Sequence, residues 1–317
     1  MFDSQLSTNS ESTHQKTVYL CSMTHKAGFV NIIGNPNVGK STLMNALVGE
    51  KISIITSKAQ TTRHRILGIV SEEDYQIVFS DTPGIIKPAY QLQESMMDFV
   101  KSAFEDADVL IYMVEVGEKE LKNEAFFQKI INSKIPVILL LNKIDKSTPE
   151  EVEEKIQFWR DKVPNSFVYV ISALEKFNVE SVFYKIIELL PEAPPFYPKD
   201  QLTDKPERFF VNESIREKIL KHYKKEIPYS VEVETESFQE EPDIIRIRSV
   251  IMVERDTQKG IIIGHKGSAI KRVGAEARKD LEAFFGKKVY LELFVKVNKN
   301  WRSNENQLKR FGYKDSL

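Results

Sequence analysis

The stretch Gly34-Asn35-Pro36-Asn37-Val38-Gly39-Lys40-Ser41, followed by Thr42, constrains this chain more than any other. It has the spacing G-x-x-x-x-G-K-[ST] and lies between an apolar run, Phe29–Ile33, and an amphipathic one, Lys40–Val48. A glycine-bracketed loop that leaves a strand and opens a helix turns successive backbone N–H groups toward one point, and the positive helix end adds to them. Such a cradle suits phosphate, with Lys40 placed for the β- and γ-phosphates and the Ser41 hydroxyl for Mg2+.

The remaining sequence carries the alternation that a strand–loop–helix unit of this kind needs around it. Short apolar runs predict strands at Phe29–Ile33, Ile66–Val70, Tyr75–Phe79, Val109–Val114, Pro136–Leu141 and Val168–Ile171. Amphipathic runs predict covering helices at Lys40–Val48, Glu94–Glu105, Glu118–Asn132, Pro149–Asp161 and Val179–Leu190. The fold class is therefore α/β, with a mostly parallel six-stranded sheet. Ser71–Asp74 is too short for a crossover, so the second and third strands form an antiparallel hairpin at the sheet edge.

Pro191–Pro198 (PEAPPFYP) holds four prolines in eight residues and cannot continue a helix. A stiff linker over 191–199 then separates a nucleotide-binding domain at 27–190 from a smaller α+β domain at 200–317. The latter reads as a helix (Glu207–Lys225), two strands (Ser230–Phe238, Ile244–Val253), a glycine-marked turn, a helix (Ser268–Phe284) and a strand (Lys288–Lys296). Residues 1–26 are polar and aperiodic and predict a disordered extension, and Met23 leaves open an upstream start or an appended leader.

Two further motifs follow strands in the order a nucleotide site needs. Asp81-Thr82-Pro83-Gly84 is placed for Mg2+ through Asp81 and for the γ-phosphate through the Gly84 N–H, with Ile85 next. Asn142-Lys143-Ile144-Asp145 ends the fifth strand. Asp145 can accept hydrogen bonds from guanine N1 and N2, which adenine does not offer, and a pocket built for those bonds rejects the wrong base. Ser172-Ala173 is placed to meet the guanine O6 through its backbone. These motifs imply GTP and GDP as substrate and product.

Charge divides unevenly: residues 1–198 carry 20 Lys+Arg and 26 Asp+Glu, and residues 199–317 carry 25 and 20. The second part thus fits a polyanionic partner. Within it lies Gly264-His265-Lys266-Gly267, preceded by Ile261-Ile262-Ile263 and followed by an amphipathic helix that bears Lys271, Arg272, Arg278 and Lys279. This resembles the loop of a KH domain, which clamps single-stranded RNA. His265, Lys266, Lys271 and Arg272 are the candidate phosphate contacts, while Arg278 and Lys279 serve equally well as a solvated face. Trp301 and Phe311 could stack on bases, although packing of a terminal helix is the commoner use. The single cysteine, Cys21, excludes an intrachain disulfide and fits a reducing compartment. No apolar run approaches the roughly 20 residues of a membrane span.

Lys51-Ile52-Ser53-Ile54 and Ala59-Gln60-Thr61-Thr62-Arg63-His64-Arg65 resemble the switch segment of the Era family, bacterial GTPases of small-subunit ribosome assembly, and the resemblance runs over about residues 27–317. It implies GTP hydrolysis with Mg2+, with Lys40, Thr62, Gly84 and Asn37 as catalytic groups. It also implies a Mg2+ ligand at Thr62, directly before Arg63, or else at Thr61. Ile85 stands where Ras-like enzymes place the water-orienting glutamine, so the resemblance implies a K+ ion held by Asn37 or an activating partner. For the second domain it implies binding to the 3′ region of 16S rRNA on the 30S subunit, by a cytoplasmic monomer that does not bind DNA and that touches the membrane at most peripherally. The competing reading is an RNA-binding module whose nucleotide is a structural ligand with little turnover.

Overall fold

The computed structural model describes residues 25–119 and 123–314. Most of the predicted N-terminal extension lies outside the described residues, and Lys26 already belongs to the first strand, paired with Tyr75. Strands β1 (Lys26–Ile33), β2 (Ile66–Ser71), β3 (Tyr75–Asp81), β4 (Val109–Glu115), β5 (Val137–Asn142) and β6 (Ser166–Val170) form one sheet in the order β2-β3-β1-β4-β5-β6. Every neighbouring pair is parallel except the β2–β3 hairpin at the edge.

Period-two alternation sends successive side chains of each strand to opposite faces. On β4, Leu110, Tyr112 and Val114 join the core under α2 (Gln91–Glu105), α3 (Glu124–Ile131) and α4 (Pro149–Lys162). Val109, Ile111 and Met113 join the other core, under α1 (Lys40–Val48) and α5 (Val179–Leu189). Each fully buried aliphatic side chain here contributes about 1.5–3 kcal/mol. The sheet thereby lines up the carboxyl ends of β1, β3 and β5, where ligands of open α/β sheets bind.

Helix α3 begins at Glu124, not at Glu118 as the periodicity predicts. Asn123 caps it by accepting from the Phe126 N–H, whereas the Glu118 N–H closes a turn on the Glu115 carbonyl at 2.9 Å.

The second unit contains α6 (Glu207–His222), α7 (Ile227–Ser230), β7 (Glu232–Glu240), β8 (Ile244–Val253), α8 (Asp256–Ile263), α9 (Ser268–Phe285), β9 (Lys288–Val297) and α10 (Glu305–Arg310). Its sheet runs β7-β8-β9, antiparallel then parallel. The predicted glycine-marked turn after β8 is mostly helix α8. Gly260 and the isoleucine run disfavour helix locally. Burial of Ile262 in the core and the Gln258 side chain, which accepts from the N–H groups of Glu254 (2.9 Å) and Arg255 (3.0 Å), outweigh them.

Residues 191–204 are fastened to the first sheet. The Ala27 N–H donates to the Pro191 carbonyl, the Gln76 side chain bonds Phe196 and Tyr197, and Ile69 and Leu67 on edge strand β2 bond Leu202, Thr203 and Asp204. The exposed edge is thus covered rather than left as a template for pairing. Trp301, Leu308 and Tyr313, near the C-terminal end, return to the core beside α2, so the two units share one hydrophobic cluster.

Candidate functional site

The loop from Gly34 to Lys40 wraps closely on itself. Gly39 has φ 109°, and a Cβ there would meet the Asn142 side chain at 2.3 Å, so only glycine fits. Lys40 is buried and donates to the carbonyls of Gly34 (3.2 Å) and Asn35 (2.9 Å). Burial pulls its ammonium down to about 8, against the opposing pull of the Asp81 and Glu118 carboxylates. An incoming phosphate would add negative counter-charge and favour the ammonium form further.

The proposed Mg2+ ligands converge. The Ser41 hydroxyl donates to Asp81 Oδ2 at 2.7 Å, Thr62 Oγ1 donates to the same oxygen at 3.3 Å, and the two hydroxyls lie 2.9 Å apart. The second Asp81 oxygen, Oδ1, is buried and has no hydrogen-bond partner among the described residues. Burial raises the Asp81 carboxyl above its ordinary range. Two hydroxyls gathered on one buried carboxylate fit a hard, oxygen-seeking cation. Thr61 is turned elsewhere, bonded to the Thr56 hydroxyl and the Lys58 carbonyl, each at 2.6 Å, so geometry favours Thr62 of the two.

One cleft brings together Pro36, Asn37, Gly39, Lys40, Ser41, Thr42, Thr62, Gly84, Asn142, Lys143, Asp145 and Ala173. Exposed Leu174, absent from the motif reading, is also on its wall. Asn142 acts as a staple: its Nδ2 donates to the Val38 carbonyl at 2.7 Å and its oxygen accepts from the Ala173 N–H at 2.9 Å. Ser172 donates to Asp145 Oδ1 at 2.7 Å and so orients that carboxylate. Other predicted residues hold the site from behind. Val38 and Ile85 are buried in the two cores, Ile144 packs against one of them, Thr82 bonds the Ile32 carbonyl at 2.7 Å, and Pro83 is buried. The position after Gly84 therefore faces the core, so a glutamine placed there, as in Ras-like enzymes, would not reach a water without rearrangement.

Motif reading missed Glu118. Its carboxylate accepts from Asn35 Nδ2, and burial pushes it up to about 7. It also missed how the switch segment is held. Arg63 is fully buried and donates to the carbonyls of Val231 (2.8 Å) and Pro228 (3.1 Å) and to Glu232 (3.3 Å). Arg216 reaches back from α6 to the Thr61 carbonyl, and Lys58 donates to the carbonyls of Leu220 and Tyr223, at the end of α6. His64 stacks on Tyr313 with ring centroids 4.2 Å apart, and burial draws its imidazole down to about 3, so it is neutral. These partners lie far away in sequence, where no local pattern could reveal them.

The second unit presents a basic groove. Gly264 has φ 69°, and a Cβ there would lie 2.6 Å from Ala269. His265, Lys266, Lys271 and Arg272 are exposed, and Lys266, Lys271 and Arg272 form no ion pair among the described residues. Lys271 and Arg278 line the groove together with Ile270, Gly274, Leu291 and Leu293, an apolar floor that sequence reading did not assign. Trp301 is buried and donates to the Ser230 carbonyl at 3.0 Å, with Phe311 packed edge-on against it, so Trp301 is a packing residue and not a base platform.

Residues 29–143 match the family model described as "50S ribosome-binding GTPase", and residues 226–302 match that of the KH domain. A solved structure of Era in complex with MgGDPNP and nucleotides 1506–1542 of 16S ribosomal RNA is 40% identical, covering 91% of this chain and 99% of that one, with TM-score 0.87. A variant of Aquifex aeolicus Era bound to GDP and aluminium fluoride matches with the same identity, coverage and TM-score. Identity at this level over nearly the whole of both chains, on a nucleotide cleft joined to a KH-type groove, establishes that the chain belongs to the Era family of GTPases.

Proposed function

We propose that this protein is a Mg2+-dependent GTPase that binds the 3′ region of 16S rRNA through its second unit and couples the two events during 30S assembly. The observation that carries the coupling is the adjacency of Thr62 and Arg63. Thr62 stands with Ser41 and Asp81, and Arg63 is buried beneath the second unit. A segment that touches both sites can bias one by the state of the other. The structures of relatives with MgGDPNP, with GDP and aluminium fluoride, and with 16S rRNA support each half of this reading.

In it, residues 27–190 form the GTPase domain and 200–317 the KH domain. Lys40, the backbone of Gly34–Thr42 and Gly84 bind the phosphates, while Ser41, Thr62 and, through water, Asp81 hold the cation. When bound, Mg2+ neutralises charge on the β- and γ-phosphates. Asp145, Ser172 and Ala173 select guanine. The protein acts as a cytoplasmic monomer whose contact with the membrane is at most peripheral. Binding to RNA should be tighter with a GTP analogue than with GDP, and RNA should tighten the analogue by the same factor. Filter binding with an RNA spanning the 16S 3′ end checks this, and equal affinities in both states would leave two independent binding modules.

Gly264→Asp should strain the RNA-facing loop and repel phosphate, weakening RNA binding on the order of a hundredfold while leaving GTP affinity unchanged. Lys266→Ala should cost less and flatten the salt dependence by one phosphate contact. Gly264→Asp protein that keeps full RNA affinity would remove this groove from the RNA site.

Hydrolysis needs a group to replace the missing glutamine. Asn37 sits in the cleft, and its Nδ2 bonds the Ser57 carbonyl of the switch segment at 3.1 Å. The side-chain oxygen of Asn37 serves a K+ ion in this reading. Exchanging KCl for NaCl at equal ionic strength should slow turnover, and Asn37→Ala should erase the difference. Equal rates in the two salts would point to an RNA or protein activator instead.

A further inference from the structure

We propose that Glu118 is a positioning residue for the phosphate loop: half-buried beside that loop just beyond β4, it fixes the Asn35 side chain and, through it, the backbone turn that receives nucleotide. Glu118 belongs to none of the motifs of the site. Its backbone closes a tight turn on Glu115, its N–H donating to the Glu115 carbonyl at 2.9 Å, and that turn directs its side chain under the loop. There Oε1 accepts from Asn35 Nδ2, and Oε2 receives the Glu115 N–H at 3.4 Å. Asn35 is 4% exposed, and its own carbonyl accepts from Lys40 at 2.9 Å. A continuous path therefore leads from the Glu118 carboxylate through Asn35 to the lysine that meets the phosphates.

A carboxylate withdrawn from water is costly unless its hydrogen bonds are met. The neighbouring Glu115 is paired with Lys143, whereas Glu118 has no ion pair among the described residues. The groups that face it are Asn35 from the loop, Lys40 from α1, and Tyr112 and Glu115 from β4. None of these needs an acid at position 118 to build the sheet or close the turn. The contact with Asn35 is the feature that a carboxylate supplies and that most other side chains would not.

The inference rests on the nucleotide site proposed above, and its test separates the two. MgGDP affinity, and KM and kcat for GTP, are measured on the full chain for wild type, Glu118→Ala, Glu118→Gln, Asn35→Ala and the Glu118→Ala/Asn35→Ala pair. Glu118→Ala should weaken MgGDP binding and raise KM by roughly tenfold, the effect of one hydrogen bond, with kcat within about twofold. Glu118→Gln, which keeps an acceptor for Asn35, should bind within about twofold of wild type. The double variant should bind no more weakly than the worse single one, because both changes cut the same link. If Glu118→Ala does not fold, Glu118→Gln close to wild type together with a weakened Asn35→Ala supports the same link. Wild-type affinity in Glu118→Ala, failure of glutamine to restore binding, or additive losses in the double variant would overturn the proposal. Failure of the wild-type protein to bind MgGDP would instead overturn the nucleotide site itself.

Discussion

Arg63→Ala is expected to destabilise the protein by about 3–5 kcal/mol and to abolish the difference in RNA affinity between the GTP-analogue and GDP states. The Arg63 guanidinium is fully buried and meets two carbonyls of the second unit as well as Glu232. Its removal strands Glu232, whose carboxyl burial already raises and whose nearest restraining charge is Arg63. Tyr313 still donates to that carboxylate at 2.8 Å, which places the loss toward the lower end of that range. Adding Glu232→Gln should recover part of the stability, because the stranded charge disappears, but not the coupling. Thermal unfolding and RNA binding in both nucleotide states decide the matter. A variant that loses stability yet keeps the full nucleotide effect on RNA would show that coupling travels by another route.

Asp145→Asn should lower GTP affinity on the order of a hundredfold or more, the cost of two hydrogen bonds to a charged acceptor, and shift preference to xanthosine nucleotides. Ser172 donates to one oxygen of this carboxylate and fixes its plane, so the remaining lone pairs are presented in one orientation. An amide at that position turns an acceptor into a donor, which suits a C2 carbonyl and not an amino group. Ser172→Ala should give a milder version of the same loss, since it releases the carboxylate without changing its charge. Titration with guanosine and xanthosine diphosphates checks both. Unchanged GDP affinity in Asp145→Asn would remove Asp145 from the base site.

The parallel sheet and nearly all its strands were legible because a buried sheet writes continuous apolar runs, and the phosphate loop because its chemistry needs fixed residues at fixed spacing. What escaped reading was decided by tertiary partners. Helix α8 carries a glycine and a run of β-branched residues, and the burial of Ile262 together with the Gln258 bonds at its start reveals why it is helical. Thr61 and Thr62 are chemically equal, and the bonds of Thr61 to Thr56 and Lys58 separate them. Ile85 was readable as the missing glutamine, but not as a core residue. Glu118 resembled the start of an amphipathic helix, and Arg63 was legible only as part of the switch segment. Both are drawn inward by contacts, at 83 and 165 or more positions' separation, that no window of sequence contains.

The fastening of residues 191–204 along the edge of the first sheet sets the mechanics of the whole molecule. Proline content alone suggests a boom that carries the RNA-binding unit at a distance, yet the boom is lashed to the hull as far as Asp204. Only Lys205 and Pro206 stand between that last lashing and the first turn of α6. With so little slack, and with Trp301, Leu308 and Tyr313 set in the core beside α2, the second unit is held against the first and not carried at a distance, and Pro206 stiffens the joint. The switch segment bears on that same short joint, with Lys58 at the end of α6 and Arg216 reaching back to Thr61, so the root of the second unit is gripped from both the sheet edge and the nucleotide side.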